Sequence, residues 1–134
     1  MPFIQVHATK LSAADKRSLA ADFTKVLNDL RVAEPYTVTV IFKDYDLESF
    51  ASGGKLLADF AEPIRKSYVT LSMREQSYET KLEITKLFAA ALVKIGIPEN
   101  CQTMIYFQAN PENVTVGSAI LGDLLYKSPD EKKA

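Results

Sequence analysis

One β-α-β pattern occurs twice in this chain, and the second copy follows the first at a distance of 65 positions. Each copy has a helix with apolar residues at helical spacing, preceded by a serine that is typical of a helix N-cap. The matched pairs are Ser12 and Ser77, Leu19 and Ile84, Phe23 and Phe88, Leu27 and Leu92, Leu30 and Ile95, Val40 and Ile105, and Phe42 and Phe107. This register, kept through a helix and the strand after it, predicts duplication of one structural unit.

The first copy reads as strand, helix and strand. Residues 2–9 alternate apolar and polar side chains, which predicts a half-buried strand. The segment 12–31 predicts an amphipathic helix, and Asp15 completes a variant of the capping box with its N-cap serine. Residues 36–42 are β-branched and aromatic, so they predict a second strand, followed by a loop over residues 43–54.

The second copy repeats this order. Residues 68–74 predict a strand, and Ser77 caps a helix that Gly96 and Pro98 end. Residues 101–107 predict the last strand. Two β-α-β units with right-handed crossovers predict an α+β fold of two layers, in which a four-stranded sheet carries both helices on one face. The other face is uncovered, and we expect neighbouring subunits to cover it.

Length and composition set the wider limits. The 134 residues predict one domain over residues 1–126, with pseudo-repeats at 2–54 and 67–118 and a polar tail at 127–134. A net charge of -1 argues against nucleic acid as a partner. One cysteine and one histidine provide neither a disulfide nor a cluster with zinc-ligand spacing. No apolar run approaches the roughly 18 residues of a membrane span, so we expect a cytoplasmic protein without a membrane partner.

Several segments together resemble a known group of enzymes. In the first copy they are residues 2–7 (PFIQVH), 11–12 (LS), 38–42 (VTVIF) and 50–54 (FASGG), which resemble 4-oxalocrotonate tautomerase. In the second they are residues 105–107 (IYF), 110–111 (NP) and 120–125 (ILGDLL). These resemble fused members of the same tautomerase superfamily, namely cis-3-chloroacrylic acid dehalogenase and malonate semialdehyde decarboxylase. The macrophage migration inhibitory factor is a further fused member.

The resemblance implies a tautomerase/MIF-like fold, a homotrimer, and an active site at each amino-terminal proline near a subunit boundary. It implies no cofactor and a small substrate that carries a carboxylate. Pro2 is then the catalytic base once Met1 is removed. A free α-amino group has a reference pKa of about 7.7 to 8.0, and burial or a nearby cation lowers it toward the range useful to a general base. A retained Met1 would make this nitrogen an amide without basicity.

The resemblance also suggests partners for Pro2. Arg74 matches the first of two arginines in the decarboxylase and dehalogenase pattern, and an arginine suits a carboxylate through its fixed fork of donors. The position of the second arginine holds no arginine. Glu34 stands in for the decarboxylase aspartate. Alternatively, Arg74 is a solvated arginine at a surface turn and has no role in binding substrate.

Two aromatic residues complete the predicted site. Tyr106 matches the active-site tyrosine of the dehalogenase, and its hydroxyl could donate to a developing enolate. The residue fits equally well as a structural core tyrosine whose hydroxyl is hydrogen-bonded. Phe50 matches the pocket phenylalanine of the short tautomerases, which keeps the site apolar. His7 is interpreted as structural.

Three functions are compatible with these residues. The first is keto-enol tautomerisation of a small 2-oxo acid, with Pro2 as the base and Arg74 holding the carboxylate. The second is cofactor-independent decarboxylation or hydration of a 3-carbon acid by a protonated Pro2. The third is a non-catalytic trimeric signalling protein. A rate that rises with pH through the pKa of Pro2 favours the first, and a rate that falls favours the second.

Overall fold

The computed structural model describes residues 2–125, so the tail predicted at 127–134 lies outside the described residues. The main strands are β1 (Phe3–Thr9), β2 (Thr39–Tyr45), β5 (Ser67–Met73) and β6 (Gln102–Gln108). The helices are α1 (Ala13–Asp29), α2 (Tyr78–Lys94) and α3 (Leu121–Leu125). Two short hairpins pair β3 (Ala51–Ser52) with β4 (Lys55–Leu56), and β7 (Thr115–Val116) with β8 (Ala119–Ile120).

The four main strands form one sheet in the order β2-β1-β5-β6. Within each copy the two strands are parallel, and β1 joins the copies by pairing antiparallel with β5. Phe3 lies opposite Thr39 on one side and Ser72 on the other, and Ser72 lies opposite Phe107. The predicted four-stranded α+β architecture is confirmed.

Both long helices pack on the same face of the sheet, as predicted. The rings of Phe23 and Phe88, one from each helix, stack with their centroids 4.1 Å apart. Beneath them, alternate residues of the two central strands are buried: Ile4, Val6, Ala8, Val69, Leu71 and Met73. The matched phenylalanines of the two copies therefore meet at the centre of a shared core.

The helices begin at the predicted serines. Ser12 accepts a hydrogen bond from the Asp15 backbone N–H at 3.0 Å, and the Asp15 carboxylate accepts one from the Ser12 backbone N–H at 3.1 Å. The capping box is thus complete in α1. Ser77 caps α2 by accepting from the Thr80 N–H at 3.1 Å. These bonds satisfy backbone donors that have no partner inside the helix.

The strand after α1 differs from the prediction. Residues Pro35–Thr37 form a 3₁₀ turn, and β2 begins at Thr39 and continues to Tyr45, into the segment predicted as loop. The end of that predicted loop also contains the short strand β3. A proline at the start of a 3₁₀ turn fits because its ring fixes φ and its missing N–H needs no acceptor.

The prediction that residues of β2 correspond to residues of β6 at a separation of 65 positions is also wrong. Ile4 lies opposite Val40, and Val69, its counterpart in the second copy, lies opposite Met104. Val40 therefore corresponds to Met104 rather than to Ile105, and by the same shift Phe42 corresponds to Tyr106. Val40 follows the end of α1 by 11 positions, whereas its equivalent Met104 follows the end of α2 by 10, so the second copy is one residue shorter up to this point. A one-residue shift exchanges the two faces of a strand, so Ile105 and Phe107 face away from the helices.

The sheet face opposite the helices is uncovered in the single chain. Large apolar side chains on it are accessible, with Ile41 54% and Phe107 51% exposed. Tyr68 and Ile105 lie on the same face. Separately, none of the helices within residues 2–125 is long and apolar enough to cross a membrane.

Candidate active site

One end of the sheet collects most of the predicted site. β1 and β2 begin there, while β5 and β6 end there, because Phe3 lies opposite both Thr39 and Ser72. We call this the Pro2 end and the opposite end the Thr9 end. Each helix connects its two parallel strands, so α1 ends and α2 begins at the Pro2 end.

Pro2 is buried at the start of β1. Its carbonyl oxygen accepts a hydrogen bond from the Thr39 N–H at 3.1 Å, which fixes it against the start of β2. Ile4, Val6 and Ala8, which follow it on the same side of the strand, are completely buried. Pro2 therefore sits where the apolar core reaches the end of the sheet.

Arg74 follows the last residue of β5 at the same end. It lines an open cavity of about 550 Å³ that the segment after β6 also lines. Three carboxylates, those of Glu75, Glu112 and Asp123, line the same cavity. Glu75 is also ion-paired with Lys81 of α2. The cavity thus offers one arginine among acidic and amide side chains, and Pro2 is not among its lining residues.

Glu34 lies in the connection from α1 to β2, also at the Pro2 end. It is exposed and lines a second cavity, of about 480 Å³, with Asn28 and Arg31. Its carbonyl oxygen accepts from both the Thr37 N–H at 3.0 Å and the Thr37 hydroxyl at 2.7 Å. Pro2 is not among the residues that line this cavity. Arg31, which was not singled out from the sequence, also lies at the Pro2 end because α1 ends there.

Tyr106 is oriented toward α2 instead of toward Pro2. Its hydroxyl donates to the Lys81 carbonyl at 3.0 Å and lies 2.7 Å from the Thr85 hydroxyl oxygen. Burial raises the pKa of the Tyr106 phenol above its usual value, although the hydrogen bond to Thr85 opposes this. The structure thus shows the arrangement of a core aromatic with a hydrogen-bonded tip. A catalytic role for Tyr106 stays a prediction.

Phe50 lies at the Thr9 end, away from Pro2 in the same chain. It meets the Tyr45 ring edge to face, with centroids 5.9 Å apart, and lines a cavity of about 360 Å³ with His7 and Tyr68. His7 Nδ1 lies 2.7 Å from the Tyr45 hydroxyl. Within one chain Phe50 therefore cannot line the pocket of Pro2, so its predicted role requires a second subunit.

The Pro2 end contains the types of group that proton transfer on an anion would use, although Pro2 lines neither of the two cavities there. It combines a buried position for an amine, two arginines and several carboxylates. Within the described part of the chain, no group of three or more histidine, cysteine, aspartate or glutamate side chains is placed to hold a metal ion.

Comparison with known proteins identifies the fold. No family model and no curated protein matches the sequence. Among solved structures, Pt0534 inactivated by 2-oxo-3-pentynoate has a TM-score of 0.78 at 15% identity, over 93% of this chain and 99% of that one. The wild-type symmetric trimer of the fused 4-OT Q0 has a TM-score of 0.75 at 13% identity, over 89% and 94%.

A third similar structure is N1, a member of the cis-3-chloroacrylic acid dehalogenase family. Its TM-score is 0.72 at 17% identity, over 87% of this chain and 82% of that one. At such identities the similarity establishes the fold alone. The chain has the fold of the fused tautomerase-superfamily proteins, as the resemblance in the sequence implied.

Proposed function

We propose that the protein is a cofactor-independent tautomerase of small 2-oxo acids, in which a free Pro2 is the general base. The observation that carries the proposal is the burial of Pro2 at the end of the sheet where Arg74 also lies. Burial and a nearby cation both disfavour an ammonium ion, so they would lower the pKa of a freed Pro2 amine. A base with a pKa near the ambient pH transfers protons most efficiently.

The reaction needs only a proton shuttle. The neutral Pro2 nitrogen takes the proton from the enol hydroxyl of the substrate, and the resulting ammonium returns a proton to the adjacent carbon. The products are the 2-oxo acid and an unchanged amine, so no oxidant or co-reactant is required. Arg74 would hold the substrate carboxylate by charge-assisted hydrogen bonds and orient the enol toward Pro2.

The active form in this proposal is a homotrimer. The uncovered sheet face, with Ile41 and Phe107 exposed, provides the surface that neighbouring subunits would bury. The fused 4-OT with the same fold is a symmetric trimer, which supports this arrangement. A neighbouring subunit is also the route by which Phe50 would reach a Pro2 pocket.

The test begins with the mass of the purified protein, which must show that Met1 is absent. Phenylpyruvate is the probe, and the ketonisation of its enol is followed at several pH values. Protein that retains Met1, in which the Pro2 nitrogen is an amide, should have a kcat lower by about 10²- to 10⁴-fold, the usual contribution of a general base. Pro2→Ala replaces the secondary amine by a primary one and should lower kcat by less than this. Pro98→Ala is the matched control, because this exposed proline lies at the Thr9 end, and it should retain the wild-type kcat.

The pH dependence decides the role of Pro2. A rate that rises with pH through a single pKa supports the neutral base. A rate that falls through that pKa would assign a protonated Pro2, as decarboxylation or hydration of a 3-carbon acid requires. An unchanged kcat in protein that retains Met1, whose Pro2 nitrogen is an amide, would refute the proposed mechanism.

A further inference from the structure

The one histidine of the chain lies on the uncovered face of the sheet. It is His7 of β1, a central strand. Ile4, Val6 and Ala8 of this strand face the helices and are completely buried. Because successive side chains of a strand point to opposite faces, His7 points away from the helices. Histidine is the side chain whose charge ordinarily changes between about pH 5 and 8, so the uncovered face contains a group of this kind.

Aromatic rings surround the imidazole of His7. The Tyr45 ring stacks on it with centroids 5.7 Å apart, and the Tyr45 hydroxyl lies 2.7 Å from Nδ1. The Tyr68 ring meets the imidazole edge to face, with centroids 6.2 Å apart. Phe50 packs in turn against Tyr45. We call these four residues the His7 cluster, and all of them line the cavity of about 360 Å³ at the Thr9 end.

The charged neighbour of His7 on this face is a lysine. Lys43 of β2 lies directly opposite His7 in the parallel register, and its Nζ lies 5.8 Å from the centroid of the Tyr45 ring. On the other side, Tyr68 of β5 lies opposite His7. Tyrosine is ordinarily uncharged near neutral pH. A protonated imidazole would therefore lie beside a second positive charge.

No carboxylate compensates for these charges. Asp44 follows Lys43 on β2, but it lies on the helix side of the strand and pairs with Lys16 of α1 at 2.6 Å. Asp46 and Glu48, in the connection after β2, are exposed and do not line the cavity of the His7 cluster. Within residues 2–125, none of the ion pairs involves His7. An imidazolium at this position depends on water for its stabilisation.

The surface around the His7 cluster fits a second copy of this chain. Within the four main strands, Lys43 and Asp44 are the only lysine, arginine, aspartate or glutamate residues, and Asp44 faces the helices. The uncovered face is otherwise uncharged and exposes Ile41 and Phe107. A face of this composition matches another like itself, and the fused 4-OT Q0 with the same fold is a symmetric trimer.

Covering the face gives the charge of His7 a thermodynamic consequence. A neighbouring chain would remove water from the imidazole, and Lys43 would repel an imidazolium more strongly in the drier surroundings. The assembled form therefore favours the neutral imidazole, whereas separate chains keep the hydration that an imidazolium needs. Separate chains thus bind more protons than assembled ones. A fall in pH shifts the equilibrium toward separate chains, and a rise shifts it toward the assembly.

We propose that His7 makes the assembly of this protein pH-dependent: copies associate through the uncovered sheet face while the imidazole is neutral, and they separate when it is protonated. The inference rests on the trimer of the proposed function but not on the role of Pro2. Three copies each take up one proton on separation. The dissociation constant of the trimer into single chains should therefore rise by up to about 10³-fold for each pH unit below the transition.

The experiment is sedimentation velocity at one micromolar concentration and at about pH 8, 6.5 and 5.5, a range above that in which most carboxylates titrate. The wild type should be a trimer at the highest pH and largely single chains at the lowest, with a folded circular dichroism spectrum at both. His7→Gln keeps a group that can bond to the Tyr45 hydroxyl but cannot become charged, so it should remain a trimer throughout. Gln5→Asn is the matched control, because Gln5 is a polar residue on the same face of β1, and it should separate as the wild type does.

A second variant keeps the test decisive if His7→Gln does not fold. Lys43→Gln removes the neighbouring positive charge, so the imidazolium is tolerated better in the assembly and separation should move to lower pH. A wild type that remains a trimer at about pH 5.5 would overturn the inference, as would a separation that His7→Gln shares. Single chains at every pH would also overturn it, because the face would then have a different occupant.

Protein that retains Met1 separates this inference from the proposed catalysis. It has no free Pro2 amine, yet it should show the same transition, because His7 and Lys43 are unchanged. A transition that persists there supports the role of His7 even if no phenylpyruvate turnover is found. A transition confined to protein without Met1 would assign the pH dependence to the Pro2 amine and refute the role of His7.

Discussion

Removal of the Tyr106 hydroxyl should cost stability but little activity. In the structure this hydroxyl donates to the Lys81 carbonyl at 3.0 Å and lies 2.7 Å from the Thr85 hydroxyl. The Thr85 hydroxyl donates to the same carbonyl at 2.7 Å, so Tyr106→Phe leaves that acceptor with one donor. The loss is therefore that of one ordinary hydrogen bond, about 0.5–1.5 kcal/mol in the free energy of unfolding.

For a chain of this size, that loss corresponds to a fall in Tm of roughly 2–6 °C. The activity should behave differently. A donor to a developing enolate is typically worth about 10²- to 10³-fold in kcat. Since the structure engages the hydroxyl with α2, we expect kcat for phenylpyruvate to change by less than about twofold, within the scatter of such comparisons.

The assay is urea unfolding and phenylpyruvate kinetics on the same preparation. Tyr36→Phe is the control for the substitution itself, because Tyr36 is 86% exposed and its hydroxyl should contribute little. A kcat reduced a hundredfold in Tyr106→Phe with unchanged stability would refute this reasoning. It would show that the hydroxyl leaves α2 to act on substrate.

Three further predictions concern the fold. Burial raises the pKa of the Tyr106 phenol above 10.0, so the protonated phenol stabilises the fold at lower pH and this contribution is lost as the pH rises. Between about pH 8 and about pH 11, the free energy of unfolding measured in urea should fall more for the wild type than for Tyr106→Phe. Phe88→Ala removes a buried ring whose centroid lies 4.1 Å from that of Phe23, and it should lower the free energy of unfolding by about 3–5 kcal/mol. In the control Val93→Ala, where the valine is 46% exposed, the loss should be less than about 0.5 kcal/mol. The Arg65 guanidinium donates a hydrogen bond to the Ile95 carbonyl at the end of α2. Arg65→Lys should therefore lower the free energy of unfolding in urea by roughly 1–2 kcal/mol, and an unchanged value would contradict this contribution.

The helices were predictable because two independent signals agreed in each. Helical spacing of apolar residues defined the buried stripe, and a capping serine defined the start, so Ser12 and Ser77 were placed correctly. The start of β2 was not predictable in the same way. β-branched and aromatic residues fill both the 3₁₀ turn at Pro35–Thr37 and the strand, and side-chain propensity does not separate them.

The candidate site was predictable only in part. Pro2 and Arg74 could be chosen from the resemblance, and the structure brings both to one end of the sheet. The cavity walls formed by Glu112 and Asp123 could not be predicted, because they follow β6 in a segment without apolar periodicity. Phe50 lies at the other end of the chain's own sheet, since the connection after β2 turns there.

Arg31 shows a different limit. The repeat already aligns Arg31 with Gly96, so the exchange of a glycine for a cation is visible in the sequence. That both positions have a left-handed φ is seen only in the structure. The sequence alone therefore shows that arginine replaces glycine, but not that the arginine has a left-handed φ.

The most direct test of the central claim is titration of the Pro2 nitrogen. Protein with Met1 verified as absent would be labelled with ¹⁵N-proline, and the chemical shift of the amine would be followed with pH by NMR. A base in a buried, cationic setting should titrate below the reference value of about 7.7 to 8.0, at the pH where the phenylpyruvate rate rises. A pKa at or above that reference, or a Pro2 nitrogen that does not titrate, would contradict the account.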